Sequence, residues 1–194
     1  MAKHAERTAR IVDRLQTGLK GVALIALMAT ASAAAADEQI YSYEPASASA
    51  RLLTQTGLSF EFERHGLGGT RIHRIVQTGE RGSAALKPSS DKDMGPGGLK
   101  AALGREGPVG GLYEIVPDGD GLAFVGAVCP GAQRAWLIIG PLKRFRDLEI
   151  QAVGLNEGGK SAHRCANLAF TFYNEWAMPP GSPPPRARFP RNQP

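Results

Sequence analysis

The chain has two cysteines, Cys129 and Cys165, and His163 precedes the second of them by two residues. Two cysteines in an exported protein most often pair, and a bridge over this interval stabilises a domain by about 3–4 kcal/mol in the chain-entropy model. The alternative is a zinc site in which both cysteines and this histidine are joined by His65 or His73. Because the ligand spacing does not require zinc, the sequence predicts a disulfide and no metal.

A phosphate-binding pattern, G-x-x-x-x-G-K-[ST], is matched by residues 154–161. In nucleotide-binding proteins a helix begins at the lysine, and its amide groups hold the phosphates. Here the chain runs instead into Cys165 and then alternates as a strand does, with Leu168, Phe170 and Phe172 on one face. The sequence therefore predicts a hairpin turn at this position and no cofactor.

Two acidic, glycine-containing stretches, residues 91–95 and 118–121, resemble parts of calcium-binding loops. An EF-hand requires a glutamate at its twelfth position, and the twelfth residue counted from Asp91 is Ala102. Both stretches are therefore interpreted as turns, which aspartate and glycine favour.

One basic cluster, Lys143, Arg144 and Arg146, follows a predicted turn at Gly140 and Pro141. A run of charge is usually a solvated surface. It is also the first candidate in the body of the chain for contact with an anionic ligand or a partner.

The elements that position these residues follow from the pattern of apolar side chains. A short helix is predicted over residues 46–56, and residues 78–110 are predicted to form a long loop with one helical turn at 99–103. Alternating or continuous apolar runs predict strands, with Glu61 and Glu63 on the solvent side of the first. These strands cover residues 58–63, 70–77, 112–116, 122–128, 134–139, 147–153 and 167–173.

This order of elements is typical of a mainly β or α+β fold. We expect a single domain built as an antiparallel β-sandwich or meander with one short N-terminal helix. Residues 112–116 and 122–128 flank a turn sequence, Pro-Asp-Gly-Asp-Gly, that indicates a hairpin.

The two ends of the chain differ from its body. Residues 1–36 have the basic, apolar and small-residue regions of a secretory signal peptide, which predicts a periplasmic or secreted protein with no integral membrane segment after cleavage. Residues 178–194 are rich in proline and arginine and are predicted to be a disordered tail. The globular domain is therefore expected to cover residues 37–177.

The net charge of +5 comes from these ends. Without residues 1–36 the chain has 18 basic and 16 acidic residues, and three of the basic residues, Arg186, Arg188 and Arg191, lie in the tail. The predicted domain is close to neutral, so the charge does not indicate a nucleic acid partner.

These observations favour a non-catalytic exported domain that binds an envelope protein, a cell-wall component or another ligand. The alternatives are an envelope hydrolase or lyase with a site near residues 78–110, and an inhibitor-like module. A binding module should carry an exposed aromatic patch, and Tyr41, Tyr43, Tyr173 and Trp176 are the candidates for it. The same four residues could instead close the core. The sequence does not indicate an oligomeric state.

Overall fold

The structure is a computed structural model of the chain. The predicted signal peptide, residues 1–36, and the predicted tail, residues 178–194, lie outside the residues that it describes. The described residues are 37–65, 69–77, 82–104, 110–156, 158–159 and 161–177.

Within these residues, eight strands form one antiparallel sheet. Each strand pairs with the next along the chain, and the last pairs with the first, so the sheet closes into a barrel. The predicted sandwich or meander fold is wrong, because all eight strands close into one antiparallel barrel. The described structure is nevertheless mostly β. The strands are β1 Asp37–Pro45, β2 Leu58–Arg64, β3 Thr70–Gln77, β4 Ser83–Pro88, β5 Gly111–Ile115, β6 Ala132–Ile139, β7 Leu148–Asn156 and β8 His163–Ala177.

The pairing of β1 with β8 decides between the two architectures. Its register runs from Gln39 opposite Ala177 to Pro45 opposite Phe170 and shifts once, after Ser42. Inward and outward side chains alternate along the strands of a sandwich and of a barrel alike, so the apolar pattern does not distinguish them. Only the contact between the first and last strands closes the sheet.

In the described part of the chain, three short α-helices and one 3₁₀ turn lie in the connections: α1 Ala48–Thr54, η1 Asp91–Met94, α2 Gly98–Leu103 and α3 Gly121–Val128. The predicted first helix corresponds to α1. The hydroxyl of Ser47 caps it by accepting a hydrogen bond from the amide of Ala50 at 3.1 Å. The helical turn predicted at 99–103 corresponds to α2. None of the helices among the described residues is long and apolar enough to span a membrane.

The predicted strand at 122–128 is helix α3, so the hairpin predicted there is wrong. Phe124, Val125 and Val128 follow the spacing of one helical face, and all three are buried against the barrel core. Helix α3 begins at Gly121, where an added Cβ would collide with the carbonyl oxygen of Val116. A short apolar run has the composition of a buried strand and of a buried helix, which explains the error.

The segment predicted as a long loop contains β4. This strand is short, buries only Ala84 and Leu86, and pairs with β3 over three residues. After it, η1 and α2 cross the outer surface of the barrel. Their buried side chains, Met94 and Leu99, form a second apolar cluster with outward residues of β5, β6 and β7, namely Leu112, Trp136, Ile138 and Val153.

The main core fills the barrel. Tyr41 and Tyr43 of β1 lie inside, and their rings make edge contacts with Phe60, Phe62 and Phe172. Burial raises the pKa of the Tyr43 hydroxyl. The inward side chains of all eight strands are buried in one cluster with residues of the first and last helices, and a barrel of eight strands is narrow enough for side chains to fill it.

The barrel has different structures at its two ends. Helices α1 and α3 lie at one end, and α3 contributes its buried face to the core. At the other end Arg64 lies over Tyr41, with its guanidinium 5.3 Å from the ring centroid and a 2.7 Å hydrogen bond to the phenolic oxygen. Arg64 also donates to the carbonyl oxygen of Leu142 at 3.4 Å.

Candidate binding surface

Two of the four predicted aromatic candidates lie on the outside of the barrel. Tyr173 is 64% exposed and Trp176 is 56% exposed, whereas Tyr41 and Tyr43 belong to the core. Trp176 is paired with the outward Ile40 and Phe172 with the inward Tyr43. Alternation alone would put Tyr173 and Trp176, three residues apart, on opposite faces, and the register shift after Ser42 lets both lie outside. The sequence identified the right residue types but could not assign the face.

Trp176 and Tyr173 border a groove of about 550 Å³ on the outer surface of β8, β1, β2 and β3. We call it the outer groove. Cross-strand pairs build its floor: Ile40 lies opposite Glu61, and Ser59 lies between Ser42 and Val76. The residues that line it are Ile40, Ser42, Tyr43, Glu44, Thr56, Ser59, Glu61, Val76, Tyr173 and Trp176.

The floor of the outer groove carries a buried carboxylate. Glu61 points outward, as the alternation predicts, yet it is only 4% exposed. Burial raises the pKa of Glu61, and the nearby Arg74, whose Nε lies 3.6 Å from its Oε2, opposes that shift. Beside it, the hydroxyl oxygens of Ser42 and Ser59 lie 2.8 Å apart in a hydrogen bond. The interpretation of Glu61 as a solvated charge is therefore wrong.

The charged side chains that line the outer groove are acidic, although Glu61 is paired with Arg74 from beside it. The lining of the groove includes the carboxylates of Glu44 and Glu61 and no lysine, arginine or histidine side chain of the described residues. The acidic Glu38 also lies near enough to raise the pKa of Glu61 further. Apolar and aromatic surface thus surrounds an acidic centre.

Cys129 and Cys165 form the predicted disulfide, with their Cα atoms 5.1 Å apart. It links the end of α3 to the start of β8. An intramolecular disulfide fits an oxidising compartment. Cys165 also lines a second groove, of about 520 Å³, between α1, the end of α3 and β8.

His163 lies beside both sulfur atoms, with its Nε2 3.8 Å from Cys129 Sγ and 3.7 Å from Cys165 Sγ. The fourth zinc ligands considered from the sequence are elsewhere. His65 and His73 flank Glu63 near the β2–β3 connection, with Nε2 to Oε2 distances of 3.8 and 3.3 Å. That connection is at the opposite end of the barrel from the disulfide, so neither histidine can join it.

The basic cluster lies in the connection between β6 and β7. Arg144 pairs with Glu175 of β8, and its guanidinium lies 5.7 Å from the ring centroid of Phe145. Lys143 and Arg146 are exposed. Contact of this cluster with an anionic ligand or partner stays a prediction.

The phosphate-binding pattern lies at the β7–β8 hairpin, as predicted. Gly154 is in β7, the chain turns at Gly158 and Gly159, and β8 follows. The first glycine of the pattern has a steric role: an added Cβ would lie 3.0 Å from Cys165 Sγ and closer still to Cys129 Sγ. The glycine therefore makes room for the disulfide.

The two calcium-like stretches are also local structure. Asp93 accepts hydrogen bonds from the amide and hydroxyl of Ser90, both at 2.8 Å, and these bonds lower the pKa of its carboxyl. Asp91 accepts from the amide of Leu99 at 2.5 Å. Residues 118–121 lead into α3. These carboxylates hold the ends of helical segments.

The outer groove is the site that sequence reasoning missed. Tyr173 and Trp176 were named, but nothing in the sequence placed them beside Ile40, Glu61 and Val76, which come from three other strands. The available signal was the outward alternation of β1 and β2. No family model, no curated protein and no solved structure matches the chain in the comparisons with known proteins.

Proposed function

We propose that this chain is a non-catalytic exported domain, periplasmic or secreted, that binds an extended cationic segment of an envelope protein in the outer groove. The observation that carries the proposal is the exposure of Trp176 and Tyr173 at the border of an acidic groove. Because the barrel interior is filled by its own side chains, the outer surface is the better candidate for ligand binding.

The aromatic border supports a protein partner. Tryptophan and tyrosine supply most of the binding energy at many interfaces, and single residues there contribute about 2 kcal/mol or more. Two such side chains next to Ile40 and Val76 form an apolar surface that a partner would remove from water.

The acidic floor supports a cationic partner. Arginine offers several donors to a carboxylate and also stacks on aromatic rings, so arginines of a partner could contact the exposed Glu44 and stack on Trp176 or Tyr173. Proline-containing segments are already extended and bind aromatic-lined grooves at a low entropic cost. An extended peptide with proline and arginine fits both properties.

Fluorescence anisotropy with two labelled peptides tests the proposal. One is a short peptide of alternating proline and arginine, and the other has glutamate in place of arginine. The full-length chain should bind the first and not the second. Trp176→Ala should weaken binding by at least about 10-fold, the loss expected for a central aromatic contact.

Leu122→Ala is the matched control, because Leu122 is another exposed large apolar residue, 58% exposed, and lies on α3 outside the outer groove. It should bind the arginine peptide as the unchanged chain does. Equal binding of the two peptides, or unchanged affinity in Trp176→Ala, would contradict the proposal. So would binding of cell-wall oligosaccharides in the same groove without binding of the arginine peptide.

The alternative of an envelope hydrolase or lyase with a site near residues 78–110 stays a prediction. In the described part of that segment, Met94 and Leu99 cover the barrel and Asp91 and Asp93 hold its turns. Those side chains therefore have structural roles that do not require catalysis.

A further inference from the structure

The corner formed by Cys129, His163 and Cys165 has a geometry that the disulfide alone does not explain. One potential ligand atom from each residue lies within 4.8 Å of the other two. The histidine nitrogen is almost equally distant from the two sulfurs, at 3.8 and 3.7 Å. His163 is exposed, Cys165 is partly buried and Cys129 is buried.

These separations are close to those of a zinc site. With Zn–S bonds of about 2.3 Å and Zn–N bonds of about 2.0–2.1 Å, tetrahedral angles place nitrogen and sulfur ligands about 3.5–3.6 Å apart. The nitrogen of His163 is thus already near its ligand position relative to both sulfurs. Only the two sulfurs would have to move apart.

We propose that the reduced chain binds one zinc ion through Cys129, Cys165 and His163, so that a metal link replaces the disulfide. A dithiol reductant supplies the two electrons that break the sulfur–sulfur bond, and it becomes a disulfide itself. Each cysteine sulfur gains a proton, and zinc then displaces both protons as it binds the two thiolates.

Replacing the disulfide by a metal link would preserve the connection between α3 and β8. The disulfide holds the end of α3 against the start of β8, and zinc bound to the same two sulfurs would keep that link under reducing conditions. Among the described residues no fourth side chain joins these three, and His65 and His73 lie at the opposite end of the barrel, so water would take the fourth coordination position. Two cysteines, one histidine and an open position form a recognised zinc ligand set.

Cobalt titration of the full-length chain tests this proposal. The chain is reduced with a phosphine, freed of reductant without oxygen, and titrated with Co²⁺, whose thiolate charge-transfer and tetrahedral d–d bands report the ligands. We expect one ion per reduced chain, displacement by Zn²⁺, and no such bands in the oxidised chain. Loss of a second-shell partner alone weakens metal affinity about 10–100-fold, so His163→Ala should weaken it at least about 100-fold.

His65→Ala is the matched control and should bind cobalt as the unchanged chain does. Thermal unfolding of the reduced chain provides a second readout that does not depend on the bands: zinc should raise the melting temperature of the unchanged chain and not that of His163→Ala. Absence of the bands in the reduced chain would overturn the proposal. Equal affinity in His163→Ala would also overturn it, since the histidine would then not be a ligand.

Discussion

Two parts of the outer surface of the barrel differ in whether their apolar side chains are covered. On β5, β6 and β7, the outward Trp136 is fully buried under the η1 and α2 segment, and its indole nitrogen donates to Ser89 Oγ at 3.1 Å. On β8, β1, β2 and β3, the outward Trp176 is 56% exposed at the border of the outer groove. We call the first the covered face and the second the open face.

Because Trp136 is buried on the outside of the barrel while Trp176 is exposed, an outward tryptophan in this fold does not have to be in contact with water. The chain covers one apolar face with Met94 and Leu99, which come from a connection much longer than a hairpin turn needs. An indole that stabilises the fold is removed from water in this way. Trp176 lacks such cover among the described residues, and this contrast supports the binding role proposed for it.

Replacement of each tryptophan by alanine should give the largest difference in stability between the two faces. Trp136→Ala removes a fully buried side chain and a hydrogen bond to Ser89, and should lower the free energy of unfolding by about 3–5 kcal/mol. Trp176→Ala removes a side chain that is already in contact with water, and should lower it by less than about 1 kcal/mol. Urea denaturation followed by circular dichroism measures both changes.

Trp136→Phe provides the conservative control on the covered face, because it retains an aromatic ring but not the donor to Ser89. Its free energy of unfolding should lie between those of the unchanged chain and Trp136→Ala. If the two alanine variants lose the same stability, the distinction between a structural face and a binding face is wrong.

The next largest effect concerns the end of β7, under the disulfide. Gly154→Ala should lower the free energy of unfolding by about 1–3 kcal/mol, since its Cβ would meet Ala132 Cβ at 2.8 Å as well as both sulfurs. Gly126→Ala is the control. Gly126 lies in α3 with no heavy atom within 4 Å of an added Cβ, so alanine there should stabilise the chain by up to about 1 kcal/mol. Equal effects in thermal denaturation would contradict the packing argument.

Local pattern predicted several individual elements of this structure but not its architecture. Residues 70–77 form a strand with the predicted bounds, and α1 and α2 lie where capping and composition indicated. The even cysteine count predicted the bridge between Cys129 and Cys165. These features depend on neighbouring residues or on simple chemistry, which a single sequence contains.

Long-range pairing was beyond the sequence. Barrel closure depends on β1 meeting β8, and the short β4 is stabilised by its neighbours more than by its own residues. The alternation predicted that Glu61 points outward, but its burial comes from the strands on either side. Nor could composition show that Trp136 would be covered and Trp176 left open, because the cover comes from η1 and α2.

We expect the smallest change in stability from Glu61, which is buried at the floor of the open face. Its pKa is raised from the ordinary value of 4.5, chiefly by burial, so the folded state holds this proton more tightly than the unfolded state does. As the pH rises above about 4.5, the unfolded state loses the proton first and gains stability relative to the folded state. The unchanged chain should therefore lose stability, relative to Glu61→Gln, as the pH rises from 4.5 towards the folded-state pKa.

Urea denaturation of the unchanged chain and Glu61→Gln at a series of pH values measures this difference. Below pH 4.5 the free energies of unfolding of the two proteins should change with pH in parallel, since the carboxyl is protonated in both states. Above pH 4.5 the glutamine variant should become more stable relative to the unchanged chain, and this difference should level off past the folded-state pKa. The stability gained by Glu61→Gln is limited, because Arg74 loses the carboxylate that lies 3.6 Å from its Nε. Glu44→Gln, in the same groove but exposed, controls for the loss of one negative charge. A glutamine variant that becomes less stable than the unchanged chain as the pH rises would mean that the ion pair outweighs burial, and that the floor of the open face is built to hold a charge.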